Sequence, residues 1–140
     1  MGSMPEKRQS ILLVEDDQEL QIALMKTLKK VGYVVYGASD GEEALAIFRR
    51  RAFDLVITDL SMPKKKGLEV LAEIKKRGPT VPVIIITAFG DWDTYQEAME
   101  RNVFEYVNKP VKKEEILRLV QTALFYKEKG IQLTPRDFKS

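Results

Sequence analysis

The chain contains no cysteine and no histidine. Without cysteine there is neither a disulfide framework nor a thiolate metal centre, and without histidine zinc has poor ligands, so any metal must sit on oxygen. No apolar run approaches the roughly 20 residues of a membrane span, and the first residues lack the apolar core of a secretory signal, so a cytoplasmic location away from membranes is expected. An excess of charge of either sign is also missing. The 23 basic and 21 acidic residues leave a formal +2, far from the dense basic stripe that nucleic-acid contact requires, and direct nucleic-acid binding is not expected.

What is present is an ordinary core-forming composition, 44% hydrophobic over 140 residues, which suits one globular domain. Met1, Gly2 and Ser3 before Met4 read as an expression scar, so residues 1–8 are assigned to that scar and an N-terminal arm. The domain itself is expected over 9–127. Residues 128–140 lose apolar periodicity and contain Gly130 and Pro135, the pattern of a tail or linker.

Strand-like and helix-like segments alternate five times. Ile11 to Val14 is the first predicted strand, and Leu20, Ala23, Leu24, Leu28 and Val31 follow at helical spacing until Gly32. Tyr33 to Tyr36 is a short second strand. Ser39, with Glu42 three residues on, offers a capping box before Ala44, Leu45 and Phe48. Phe53 to Thr58 is the third strand, continuous enough in its apolar residues to be buried on both faces and therefore central. A third helix carries Leu68, Leu71 and Ile74, and Pro82 to Thr87 is a β-branched fourth strand. Asp91 or Asp93 is placed to cap a fourth helix with Tyr95, Ala98 and Met99. Val103 to Val107 is the fifth strand, and the fifth helix carries Ile116, Leu119, Val120, Ala123 and Leu124. This alternation predicts βαβ units around a parallel sheet covered on both faces.

Four of these apolar runs stop at residues that handle metal or phosphate: Glu15-Asp16-Asp17, Thr58-Asp59, Thr87, and Asn108-Lys109. In an open parallel sheet such strand ends form the ligand crevice. Asp16, Asp17 and Asp59 gathered there would repel, two charges 4 Å apart by ~4 kcal/mol at an effective dielectric near 20. A hard divalent cation such as Mg²⁺ resolves the conflict, since it takes carboxylate oxygens and leaves positions for water and phosphate. Lys109 and Thr87 supply a point charge and a hydroxyl to a phosphoryl group. Taken singly these residues have plain explanations: Asp17 as a helix cap, Thr87 as a strand residue, Lys109 as a solvated loop lysine. The constellation outweighs them.

At these residues the chain resembles the receiver domain of two-component response regulators. The matching pieces are Leu12-Leu13-Val14-Glu15-Asp16-Asp17, Asp54 through Pro63 with Gly67-Leu68-Glu69, Ile86-Thr87-Ala88, and Tyr106-Val107-Asn108-Lys109-Pro110. The resemblance implies a doubly wound, flavodoxin-like α/β domain with strand order 2-1-3-4-5 and five helices. It implies that Asp59 accepts a phosphoryl group from a sensor histidine kinase or histidine phosphotransfer protein. The Mg²⁺ site would comprise Asp16, Asp17, Asp59 and the Ser61 carbonyl, and Thr87, the Ala88 N–H and Lys109 would hold the phosphate. Thr87 and Tyr106 would act as a switch, with Tyr106 swinging inward, and the bond before Pro110 would be cis. Ser61 and Phe89 stand where the family tunes phosphate lifetime, and bulky Phe89 is expected to prolong it by impeding water.

The implied output face is the fourth helix, fifth strand and fifth helix, available to a homodimer or to a C-terminal effector domain beyond this chain. Such a domain catalyses its own phosphorylation and dephosphorylation but is no turnover enzyme. Lys64, Lys65 and Lys66 depart from the family pattern; a solvated loop that softens the acidic field is the simpler reading, an acidic-faced kinase or phosphatase partner the other. Two further functions compete. A Mg²⁺-dependent phosphohydrolase of the haloacid dehalogenase type also uses an aspartate nucleophile, but wants a second aspartate where Ser61 stands. A receiver-like module that binds a partner without being phosphorylated would not need the full constellation. A flavodoxin-like cofactor binder would have its phosphate repelled by Glu15-Asp16-Asp17.

Overall fold

Alternating strand and helix propensities resolve, in the computed structural model, into a three-layer α/β domain; residues 8–60, 67–88, 96, 100 and 103–131 are described. Five parallel strands lie in the order β2-β1-β3-β4-β5. They are β1 (Ser10–Val14), β2 (Val34–Ala38), β3 (Leu55–Asp59), β4 (Val83–Thr87) and β5 (Glu105–Asn108), joined by helices α1 (Gln18–Lys30), α2 (Gly41–Arg50), α3 (Gly67–Arg77) and, after β5, α4 (Lys113–Glu128). β3 is central, as its unbroken apolar run predicts, and all five of its residues are buried. The predicted fourth helix falls almost wholly outside the described residues, where only Gln96 and Glu100 are seen to be helical; Asp91, Asp93, Trp92 and Tyr95 lie outside as well. The expected fifth helix is thus α4.

Strand alternation sorts the core into two slabs. Leu12, Val14, Val56, Val83 and Ile85 face α2 and α3, packing with Ala44, Leu45, Phe48, Val70, Leu71 and Ile74. Ile11, Leu13, Leu55, Ile57, Ile84 and Ile86 face α1 and α4, against Leu24, Leu28, Ile116, Val120, Ala123 and Leu124. Each fully buried Leu or Ile contributes roughly 1.5–3 kcal/mol of transfer free energy, which is why the central strands are apolar on successive residues.

The helix ends follow local chemistry. At the C-terminus of α1, Gly32 adopts φ +108, the left-handed conformation that ends a helix cheaply only at glycine, while Gly32 N–H and Tyr33 N–H donate to the Lys29 and Leu28 carbonyls. At α2 the cap is Asp40 and not Ser39. Asp40 accepts from the Glu43 N–H at 2.8 Å, and Glu43 reaches back to the Ser39 N–H. The expected box is shifted by one residue: Asp40 caps the Glu43 amide three residues on, and Glu43 takes the reciprocal place.

Candidate functional site

β3, β4 and β5 each end on a polar residue, respectively Asp59, Thr87 and Asn108, so their C-terminal edge carries the chemistry. Beyond β1, the Glu15 N–H still donates to the Ala38 carbonyl, and beyond β5 the Lys109 N–H donates to the Thr87 carbonyl at 2.8 Å. Alternation therefore persists one step past the strands. Glu15 continues the series Ile11, Leu13; Asp59 continues Leu55, Ile57; Lys109 continues Val107. All three side chains emerge toward the α1 and α4 side.

They meet there. Lys109 Nζ is 2.8 Å from Asp59 Oδ2 and 2.9 Å from Glu15 Oε1. Asp59 and Glu15 are buried and Lys109 is 19% exposed on its side chain, so the ammonium bridges two carboxylates in a space largely shielded from water. Glu15 Oε2 accepts from the Asp17 N–H at 3.0 Å. Burial pushes the Glu15 carboxyl above its ordinary value, against the hydrogen bonds from Lys109 and the Asp17 N–H, with the nearby Asp59 charge adding to the rise. Burial alone would pull Lys109 down, but its hydrogen bonds to Asp59 and Glu15, together with their charges, outweigh it and raise it. One cation is stabilised by two anions, while each anion has half a cation and little water.

The acidic trio differs from the expected one. Ligand oxygens of Glu15, Asp16 and Asp59 all lie within 4.8 Å of one another. Asp17 is not in this group: its Oδ1 accepts from the Leu20 N–H at 3.2 Å and caps α1. The acidic cluster among the described residues is thus Glu15, Asp16 and Asp59, while Asp17 is engaged as the N-cap of α1, which begins at Gln18. Glu15, not among the expected ligands, belongs to this cluster, and the two-residue alternation from Ile11 through Leu13 carries its side chain there. Oxygens on an octahedral Mg²⁺ sit about 3 to 4 Å apart given metal–oxygen distances near 2.1 Å, so an all-oxygen trio at this spacing, one member exposed to solvent, fits that ion with little movement.

Around the trio, Thr87 is fully buried and Ala88 is exposed beside it. The Lys109–Pro110 peptide bond is cis. Tyr106, paired in register with Ile85, is 8% exposed and packs in the slab with α2 and α3, so its ring is already inside the protein. Gly67, which opens α3, lies so close to Leu60 that a Cβ there would fall 2.7 Å from the Leu60 carbonyl carbon; this contact fixes the chain just after Asp59. Ser61, Phe89 and Lys64 to Lys66 lie outside the described residues.

Residues 11–121 match the response regulator receiver domain family. The chain belongs to it. It is 39% identical over 121 residues, 86% of its length, to the transcriptional regulatory protein GlrR of Escherichia coli K12, and spans 27% of that relative. Among solved structures, it superposes with TM-score 0.87 on a CheY-like response regulator receiver domain from Methanospirillum hungatei, at 26% identity, covering 89% of this chain and 99% of that one. A receiver domain from Clostridium thermocellum superposes with TM-score 0.80 at 36% identity, covering 86% and 97%. This receiver domain is a signalling domain of the two-component response-regulator type with a flavodoxin-like fold. Among its described residues no helix is long and apolar enough to cross a membrane.

Proposed function

We propose that this receiver domain accepts a phosphoryl group on the Asp59 carboxylate from a phosphohistidine of a sensor kinase or phosphotransfer protein. The observation that carries the reading is the Lys109 ammonium held 2.8 Å from Asp59 Oδ2, beside an acidic trio suited to a hard cation. An Asp59 oxygen attacks phosphorus, the P–N bond breaks, and the departing imidazole keeps the electron pair and takes a proton from solvent. The acceptor is a carboxylate, so no general base is required of the protein, and positioning and charge stabilisation carry the reaction.

Glu15, Asp16 and Asp59 would hold Mg²⁺, and the Ser61 carbonyl is a further ligand by resemblance. Bound there, the ion supplies positive charge that offsets the anionic phosphoryl oxygens and the carboxylates. Lys109 follows the charge: its bond to Asp59 passes to the new phosphoryl oxygens, which offer stronger acceptors. Thr87, at the adjacent strand end, and the Ala88 N–H would donate to the same group. Thr87, which ends β4, and Tyr106, within β5, would report the change. Because Tyr106 is already inside, the switch here would stabilise the inward ring more than create it. An effector domain following this segment belongs to the same proposal, supported by longer relatives such as GlrR; a kinase partner and a homodimer through the face containing β5 and α4 are proposed with it on the family resemblance.

The experiment is incubation with Mg²⁺ and a small acyl phosphate, followed by intact mass. One added phosphoryl in the wild type, absent from Asp59→Asn and reduced in Lys109→Ala, is expected. An unmodified wild type, or full modification of Asp59→Asn, would refute the assignment.

A further inference from the structure

The Glu15 carboxylate forms an ion pair with Lys109 and accepts from the Asp17 N–H, and its backbone N–H donates to the Ala38 carbonyl. Its backbone carbonyl is held by Gln21, which touches none of the three carboxylates. Gln21 Nε2, from the first turns of α1, donates to the Glu15 carbonyl at 2.8 Å and to the Ala38 carbonyl at 3.0 Å. Ser39 Oγ lies 3.4 Å from the same nitrogen and 3.0 Å from Gln18 Nε2. One carboxamide therefore ties the end of β1 to the end of β2, at the point where the backbone turns and presents Glu15 and Asp16.

The carboxamide occupies a space left open by a glycine. Gly37, within β2, has no side chain, and a Cβ there would fall 3.1 Å from Gln21 Oε1, 3.2 Å from its amide carbon and 2.9 Å from Met25 Sδ. Its φ is not among the positive ones, so the glycine is needed for room and not for backbone conformation. Gly37 is the socket and Gln21 the pin.

We infer that Gln21, seated against Gly37, is a positioning residue for the metal-binding carboxylates: by pinning the Glu15 carbonyl it holds Glu15 and Asp16 at the spacing a divalent cation needs. The inference rests on the proposed Mg²⁺ site. Groups that orient metal ligands without touching the metal change affinity by 10- to 100-fold when removed, and Gln21 acts through backbone, so the lower end is expected. The mechanism needs a donor at this point, which alanine and methionine both lack; both are good helix formers, so α1 itself is preserved.

The test is Mg²⁺ titration by calorimetry on the wild type, Gln21→Ala, Gln21→Met and Gly37→Ala, with thermal unfolding of each in the absence of metal. Gln21→Ala and Gln21→Met should bind Mg²⁺ roughly tenfold more weakly, and a folded Gly37→Ala should do the same by displacing the carboxamide. Adding Gly37→Ala to Gln21→Met should weaken binding no further, since both remove one contact. A purely structural role would lower the unfolding temperature and leave the dissociation constant of the folded protein at its wild-type value. That outcome, or additive losses in the double variant, overturns the inference while leaving the metal site standing. Failure of the wild type to bind Mg²⁺ overturns the site and the inference together.

Discussion

Lys109 Nζ reaches Asp59 Oδ2 across two strand positions of the sheet and 50 residues of sequence, at 2.8 Å. β4 lies between the strands that carry them, so the pair spans the crevice at the sheet's C-terminal edge, with Glu15 closing the third side. The ammonium stands in for part of the positive charge the carboxylates require, which sets the terms for several outcomes.

Lys109→Ala should leave Glu15 and Asp59 buried together without a cation. Removing one partner of a buried pair costs about 3–5 kcal/mol, and Lys109 is partly exposed, so a loss near the lower figure is expected. Glu15 is already shifted upward and would shift further; a carboxyl raised in the folded state favours folding at low pH and disfavours it above its folded value. The deficit should therefore shrink on acidification and on adding Mg²⁺, as thermal unfolding across pH with and without the ion will read.

Asp16 and Asp17 should separate cleanly. Asp17→Ala removes the α1 cap, costing ~1 kcal/mol of stability, and should leave Mg²⁺ affinity close to wild type. Asp16→Ala should abolish measurable Mg²⁺ binding and barely change the unfolding temperature in its absence. Calorimetric titration beside thermal unfolding distinguishes them, and a reversed pattern would restore Asp17 as the ligand.

Gly67→Ala sets helix propensity against sterics. In an open helix the change gains about 1 kcal/mol. Here the added Cβ would meet Leu60 backbone at 2.7 Å or less, and overpacking typically costs 1–3 kcal/mol. Backbone next to Asp59 cannot yield without moving the acceptor, so destabilisation and a slower acyl phosphate reaction are expected together. A more stable protein with unchanged phosphorylation would disprove the close approach.

Lys75 offers a pH test away from the site. Its ammonium is largely shielded near the end of α3, donates to the Val81 carbonyl at 2.8 Å, and burial lowers it from 10.5 to about 8. Between these values the unfolded chain binds more protons than the folded one, so stability rises with pH there. Below about 8 the charged form is disfavoured in the fold without relief. Lys75→Met should therefore be more stable than wild type near neutrality, with the advantage fading as pH climbs toward 10; denaturant midpoints at pH 7, 8.5 and 10 will show whether the difference converges.

From its own residues, the chain settled the layers and the chemistry. Alternating apolar periods, Gly32 after α1, and strand runs ending at Asp59, Thr87 and Asn108 determine a parallel sheet with a polar, acidic edge, because periodicity and backbone propensity act locally. Which acid belongs to the trio was decided by the tertiary structure. Glu15, Asp16 and Asp17 are adjacent in sequence and alike in charge, and only the exact point where β1 stops and α1 is capped buries Glu15, leaves Asp16 exposed beside it and commits Asp17 to a helix amide. The seat of Gln21 against Gly37 and the burial of Tyr106 were likewise invisible beforehand, since each depends on distances between elements that local sequence preferences do not specify.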